Sequence, residues 1–384
     1  MNKRLSLMLI HPNFSTGGAE TQITQLLSSL SRAYDLHVVI FNDIQHRILD
    51  LSSTHSDVTF HNLEKQPGPL QLPTFLWKLL RLVKKIDPAV IMSFLHHVNL
   101  LSLAIGRITG KKTIIWGLRT SNFLPREFGL KGDLVDKANI KFSSYVDVLI
   151  SNNRSGLKQF QNRGALPKMS VFIPNGIDTD KYSPSETYRR QSRQEIGVDE
   201  NTTVVGIVAR VVPWKGYEVF LKAAAMVAQQ KSNTVFVCIG NGNPEFEQHC
   251  AELVSQHGLE SVVKWLGDRL DIPIILNGID IFTLTSTSGE GFSNALCEAM
   301  ATARYVISTD VGDSKEIIGD TGVVIEPNNS IALAEAVISA VDDITGRKLM
   351  GQLARQRILT SYSIAQCSKH YEQIIGRVSL AEDS

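Results

Sequence analysis

The chain has 384 residues, of which 43% are hydrophobic and 20% charged, and its formal net charge is +1. That length exceeds one ordinary core and predicts two domains, while the composition excludes a disordered or low-complexity protein. No apolar run approaches the roughly 20 residues that span a bilayer.

The small net charge conceals two opposed halves. Through Ile177 there are 21 Lys+Arg against 11 Asp+Glu, a balance of +10; from Asp178 onward there are 18 against 27, a balance of −9. A basic first half suits an anionic ligand or an anionic membrane surface, although an asymmetry without a partner fits the same counts. Nucleic acid is not expected, because the basic residues lack the aromatic platform on which single strands stack. The four cysteines (Cys238, Cys250, Cys297, Cys367) are scattered, with no Cys-x-x-Cys pair and no histidines at metal-ligand spacing. Buried thiols in a reducing compartment are expected, and no metal site.

In chain order, the opening run to Ile10 is too short for a secretory leader and ends in His11-Pro12-Asn13 without a small-residue cleavage site, so it reads as a buried first strand. Further strands are expected at 36–41, 90–93, 113–117 and 146–151, then at 203–209, 234–240, 262–266, 279–285 and 305–308. Helical periodicity marks 19–31, 75–86, 217–231, 245–257, 294–301 and 331–341. This βα alternation appears twice, with a break near Ile173-Pro-Asn-Gly-Ile-Asp178 and a turn-rich stretch at 182–198. It predicts an α/β protein of two doubly wound parallel sheets facing each other across a cleft, with ligands outside the carboxyl ends of the strands.

Several segments could carry chemistry. Gly17-Gly18 at the first strand-to-helix turn would let the backbone approach a diphosphate at a helix N-terminus, though a purely structural turn fits equally well. The dinucleotide fingerprint GxGxxG is absent there. In the 73–86 segment, Phe75, Leu76, Leu79, Leu80, Val83 and Ile86 form an apolar stripe opposite Lys78, Arg81 and Lys85. Trp77 and Leu82 are left over as exposed apolar residues, which fits either a helix packed on its sheet or a peripheral membrane contact. Arg210 and Lys215 follow the first strand of the second half, where they could clamp negative oxygens or remain ordinary surface cations.

The segment Glu290-Gly291-Phe292-Ser293-Asn294-Ala-Leu-Cys-Glu298 follows a strand and runs into a helix. Backbone N–H groups near Phe292, Ser293 and Asn294 are expected at the helix start, available to phosphate oxygens. On one helix the two carboxylates would stand roughly 12 Å apart. Carboxyl pairs that cleave a glycosidic bond stand about 5–9.5 Å apart. The longer reach suits the two ends of a nucleotide sugar, with hexose hydroxyls at one carboxylate and ribose hydroxyls at the other.

Taken together, Gly17-Gly18-Ala19-Glu20, the 173–178 segment, Ala209-Arg210 with Lys215-Gly216, the 290–298 segment and Thr309-Asp310-Val311-Gly312 resemble the retaining GT-B glycosyltransferases of family 4 over nearly the whole chain. The resemblance implies an acceptor-side domain at 1–177, a donor-nucleotide domain at 178–361, and a C-terminal helix near 362–384 packed back on the first. It implies a metal-independent enzyme without a cofactor that uses a UDP-sugar. Arg210 and Lys215 would hold the diphosphate, Gly17 or Gly18 would meet it from the first domain, Glu290 would hold the transferred sugar and Glu298 the ribose. The base would lie against backbone near Asp268 and Arg269. His97 and Asn99 resemble a stretch of members that extend lipid-linked sugars, where the histidine contacts donor sugar or acceptor; His96 and a structural role for His97 are the alternatives. Arg119 would bind an acceptor phosphate or form an ordinary ion pair.

The expected reaction is transfer of a hexose or N-acetylhexosamine to a hydroxyl of a polyprenyl-diphosphate-linked glycan, by a front-face route in which the departing phosphate oxygen takes the acceptor proton. The expected place is the cytoplasm, with a peripheral contact to the inner face of the cell membrane as an option. Ser293 and Asp313 stand where the family often has Pro and Gly, which leaves the donor sugar open. A UDP-sugar epimerase or phosphorylase of similar architecture, and a non-catalytic nucleotide-sugar-binding protein, are the competing readings.

Overall fold

The computed structural model describes residues 4–14, 18–43, 47–66, 68–110, 113–119 and 129–380. Two compact units result: Met1–Gly176 with Ile364–Ser384, and Ile177–Ser363.

In chain order, the first unit contains β1 (Ser6–His11), α1 (Gly18–Ala33), β2 (Asp35–Ile40), α2 (Arg47–Thr54), β3 (Val58–Asn62), α3 (Leu72–Ile86), β4 (Val90–Phe94), α4 (His96–Ile108), β5 (Thr113–Leu118), α5 (Gly129–Phe142), β6 (Val148–Ser151), α6 (Arg154–Asn162) and β7 (Met169–Phe172). All its strand pairings are parallel, in the order β3-β2-β1-β4-β5-β6-β7. Helices cover both faces, so the central strands carry near-continuous apolar runs: every residue of β4 and β5 is buried.

The second unit follows with α7 (Glu186–Ile196), β8 (Thr203–Val208), α8 (Tyr217–Ala228), β9 (Thr234–Ile239), α9 (Pro244–Gln256), β10 (Val263–Gly267), α10 (Ile272–Gly278), β11 (Ile281–Leu284), α11 (Asn294–Ala301), β12 (Tyr305–Thr309), α12 (Ser314–Ile318), β13 (Val323–Ile325), α13 (Ser330–Asp342) and α14 (Ile344–Ser361). Its parallel sheet has the order β10-β9-β8-β11-β12-β13. A final helix, α15 (Ile364–Leu380), places Cys367, Tyr371 and Ile375 in the core of the first unit, and Tyr34 Oη donates to Glu372 O at 3.1 Å.

Three strands escape the sequence reading, and all lie at sheet edges. β3, β7 and β13 are half exposed, so none shows the buried apolar run that marks an interior strand. The stretch expected to be turn-rich contains α7, whose sequence ETYRRQSRQEI lacks an apolar stripe. It is defined instead by its ends: Ser185 accepts the N–H of Tyr188, and Gly197 closes the helix in the left-handed conformation. On α3, Phe75, Leu79 and Val83 are buried as the stripe predicts. Leu82 is not an exposed residue as the sequence suggested, because it packs against the core; Trp77 is 58% exposed, beneath the Arg81 guanidinium at 5.3 Å.

All four cysteines are buried free thiols. Among the described residues, no helix is long and apolar enough to cross a membrane, and no group of three or more His, Cys, Asp or Glu could hold a metal ion.

Candidate functional site

A parallel sheet opens where its strand order reverses, because neighbouring connections there leave toward opposite faces. In the second unit that point lies between β8 and β11. The loop after β8 carries Arg210 and Lys215, and the loop after β11 carries Glu290.

Lys215 sits in a short 3₁₀ turn, Pro213–Lys215, followed by Gly216 at φ 73°. A side chain at Gly216 would place its Cβ 1.9 Å from Thr285 O, so the left-handed glycine lets the two loops touch. The contact is fixed by Thr285 Oγ1 donating to Lys215 O at 2.9 Å and Thr287 N donating to Trp214 O at 2.8 Å. Glu290, 7% exposed, accepts at Oε1 from both Lys215 Nζ and Ser286 Oγ, the latter at 2.6 Å. Thr309 Oγ1 holds Ser286 O at 2.6 Å. Gly312 (φ 63°) lies against the same loop, where a Cβ would meet Gly291 O at 2.5 Å, and Asp313 N donates to Gly291 O at 3.0 Å. The guanidinium of Arg210 is exposed and makes no contact with this pair among the described residues.

The two glutamates do not share a helix. Glu290 lies in the loop, and α11 begins only at Asn294, so the helical spacing of roughly 12 Å does not apply. The Phe292 side chain is buried against Tyr362, with ring centroids 5.7 Å apart, and Ser293 Oγ caps the helix by accepting Leu296 N–H at 3.4 Å. Any ligand contact by these two residues therefore falls to their backbone.

Glu298 points to a second group of residues. Tyr182 donates its phenolic hydrogen to the Glu298 carboxylate, and Lys181 is close enough to favour the ionised form. Burial outweighs both and pushes the carboxyl up to about 7. Neither Tyr182 nor Lys181 was singled out in the sequence, although both follow the Asn-Gly-Ile-Asp178 motif directly. Asp178 and Asp180 form the chain's one Asp-x-Asp. Asp178 Oδ1 caps a turn by accepting from Asp180 N at 3.2 Å and Lys181 N at 2.9 Å.

Asp268 is exposed, while the Arg269 side chain is bound to Glu195 and Asp271, with Nη2–Oε2 3.0 Å and Nη2–Oδ2 2.7 Å. The Arg269 side chain is therefore taken up by neighbouring carboxylates. Beside this loop, Gly240 N donates to Gly267 O at 2.8 Å, and a cavity of about 210 Å³ opens between Val211, Asn241 and Trp265. The Trp265 ring stacks on Tyr217 at 5.6 Å.

In the first unit the strand order reverses between β1 and β4. Gly18 begins α1, and Gly17 lies outside the described residues. Leu95 (φ 78°) joins β4 to α4, and His96 and His97 follow it. His97 is exposed, and partial burial of its ring with Lys65 nearby lowers its pKa. His96 packs its ring against Phe160 at 6.5 Å, and burial takes it down to about 4.

Asn99 does not face an acceptor. It is buried, its Nδ2 donates to Gly117 O at 3.2 Å and its Oδ1 accepts from Ser93 Oγ at 2.8 Å. The turn from β4 into α4 puts it beneath the sheet edge and leaves His97 outside. Arg119 makes no ion pair among the described residues. Its Nη1 donates to Asn175 Oδ1 at 2.7 Å, its Nη2 to Tyr371 Oη at 2.9 Å, and its guanidinium lies 4.8 Å from the Phe94 ring centre. Next to it is a residue that sequence reading missed, His11, which looks like the end of an apolar strand. Its Nδ1 donates to Asn13 O at 2.6 Å, its buried Nε2 has no protein partner among the described residues, and burial with His97 and Arg119 nearby takes it down to about 4.

Two family models match the chain in tandem: "Glycosyltransferase Family 4" over residues 16–181 and "Glycosyl transferases group 1" over residues 202–343. The chain belongs to the family 4 glycosyltransferases. Its relatives include the D-inositol 3-phosphate glycosyltransferase of Corynebacterium glutamicum, 28% identical over 60% of this chain and 58% of that protein. The chain thus covers less than two thirds of that relative. A Campylobacter jejuni N-acetylgalactosaminyltransferase named for a diphospho-undecaprenol-linked acceptor is 24% identical over 90% of this chain and 92% of its own length. Among solved structures, Anabaena Alr3699/HepE in complex with UDP superposes with a TM-score of 0.85 at 20% identity, covering 97% of this chain and all of that one. At that identity the likeness establishes the fold, GT-B.

Proposed function

We propose that the chain transfers a hexose or N-acetylhexosamine from a UDP-sugar to a hydroxyl of a polyprenyl-diphosphate-linked glycan, with retention of anomeric configuration. The observation that carries this reading is the buried carboxylate of Glu290, held at a strand-order reversal by a cation and a hydroxyl. A carboxylate in that position accepts hydrogen bonds from sugar hydroxyls while Lys215 turns toward phosphate oxygens. A UDP complex of a protein with the same fold, and a relative that acts on a diphospho-undecaprenol-linked sugar, support the two substrate classes.

The chain's own residues would act by orientation and charge. Lys215 and Arg210 stabilise the leaving diphosphate, and its departing oxygen accepts the proton of the acceptor hydroxyl as the new glycosidic bond forms on the same face. Glu290 positions the hexose and Glu298 the ribose. In the first unit His97 and Arg119 face the acceptor. The basic first half and the exposed Trp77 suit a peripheral contact with anionic lipid.

The test is UDP binding by calorimetry with wild type, Lys215→Ala and Glu298→Ala, followed by a screen of nucleotide sugars against lipid-linked acceptors. Weaker UDP binding in both folded variants is expected, and unchanged affinity would refute the donor-site assignment. Sugar rearranged or released without an acceptor would favour an epimerase or phosphorylase.

A further inference from the structure

The second unit has another charged cavity, at the opposite end of its sheet from Glu290. It lies at the amino ends of β11 and β12 and encloses about 570 Å³. α7 supplies Arg189, the turn before β12 supplies Arg304, and α14 supplies Arg347 and Lys348.

Two of the three carboxylates lining this cavity, Asp280 and Glu200, are already engaged. Asp280 gives Oδ1 to Arg189 Nη1 at 3.1 Å, and Oδ2 to Arg193 Nη1 at 3.1 Å and Val204 N at 2.9 Å. Glu200 Oε2 takes Arg189 Nε at 3.2 Å and Arg193 Nε at 3.6 Å. Glu186, on the rim, is exposed. Arg304 and Arg347 are left without an ion pair among the described residues. Arg304 donates only to the neutral carbonyls of Thr302, Asn277 and Ile279, at 2.8, 3.2 and 3.0 Å. The guanidinium of Arg347, a residue 8% exposed, makes one hydrogen bond among the described residues, to Ala340 O at 3.1 Å. Burial lowers the pKa of both, Arg304 to about 10, and outweighs the opposing field of Asp280 on each and of Glu186 on Arg304. The side chains lining the cavity include four cations, Arg189, Arg304, Arg347 and Lys348, against three acids, Glu186, Glu200 and Asp280.

A buried guanidinium without a counter-ion is costly, and a dianion with several acceptor oxygens removes that cost. We propose that this cavity binds a soluble phosphomonoester, its phosphate held by Arg304, Arg347 and Lys348. Phosphate fits the forked donors of two arginines better than a single carboxylate does. The volume exceeds that of phosphate alone, and the half-buried Tyr305 ring lines the remainder as a wall for the organic part.

Glucose 6-phosphate, inorganic phosphate and glucose are suitable calorimetric probes for the full chain. Glucose 6-phosphate and phosphate should bind wild type and Lys215→Ala with the same Kd, because Lys215 belongs to the donor site at the other end of the sheet. Failure of the donor assignment would therefore leave this result intact. Arg347→Gln and Lys348→Glu should each raise Kd about tenfold, as expected for loss of one charge-assisted contact. Lys348 is exposed, so its reversal tests the site even where Arg347→Gln does not fold. No binding by wild type, binding that Lys348→Glu leaves unchanged, or glucose binding as well as its phosphate would each overturn the proposal.

Discussion

Lys215 Nζ and Ser286 Oγ converge on a single oxygen, Oε1, of Glu290. The sequence suggested separate duties for the two charged residues, diphosphate for Lys215 and hexose for Glu290. Each is the other's counter-ion, with Glu290 only 7% exposed. A donor bound as proposed would have to break or share this pair.

Removing either partner leaves the other charge buried and unpaired. Glu290→Gln and Lys215→Ala are each expected to lower transfer by about 10²–10³, the cost of losing one preorganised group. The double variant should lose far less than the product of the two. Steady-state rates of the three proteins check this, and strict additivity would mean that the residues act independently.

The ionisation of Glu298 sets a pH dependence. Its folded pKa, about 7, lies above that of a free glutamate, so the folded state binds the proton more tightly than the unfolded one. Its contribution to stability is full below about pH 4.5 and is lost as pH rises through 7. Glu298→Gln removes that loss, so its melting temperature relative to wild type should climb between pH 5 and 8. A constant difference across that range would place Glu298 in an ordinary solvated setting.

Gly216 and Gly312 each combine a left-handed backbone with a carbonyl at 1.9 or 2.5 Å from any added Cβ. Gly216→Ala and Gly312→Ala should each cost about 2 kcal/mol or more in denaturant unfolding and weaken UDP binding through displacement of the Glu290 loop. Gly258→Ala, in a left-handed turn with open space around it, is the control and should cost about 1 kcal/mol, from backbone strain alone.

His97 and Asn99 stand two residues apart but in different environments. Asn99→Ala should destabilise the protein by about 1–3 kcal/mol because Ser93 Oγ and Gly117 O each lose a buried partner. His97→Ala should leave stability within about 0.5 kcal/mol, as for an exposed position, while reducing transfer. Unfolding curves together with transfer assays separate the two effects.

Transfer should survive EDTA. Asp178, the first residue of the single Asp-x-Asp, is used as a turn cap. Full loss of activity, restored by manganese, would show that this segment binds a metal after all.

Features that depend on periodicity or on a short contiguous motif were legible in the sequence. The interior strands, the α3 stripe and the segments that form the loops after β8 and β11 all have this character. The edge strands β3, β7 and β13 were not, because their half-exposed residues alternate irregularly. The partners of known residues were also hidden: Ser286 on Glu290, Tyr182 on Glu298 and Tyr371 on Arg119 are long-range contacts that no local spacing reports. His11 was overlooked because a buried histidine at a strand end has the same local pattern as an apolar residue.

The return of α15 to the first unit affects how the chain can be made. The second unit is continuous and can close its core as soon as Ser363 has emerged from the ribosome. The first unit lacks Cys367, Tyr371 and Ile375 until later, and with Tyr371 it lacks the hydroxyl that holds Arg119. Arg119 is thus fixed in place only after the whole second unit has been synthesised.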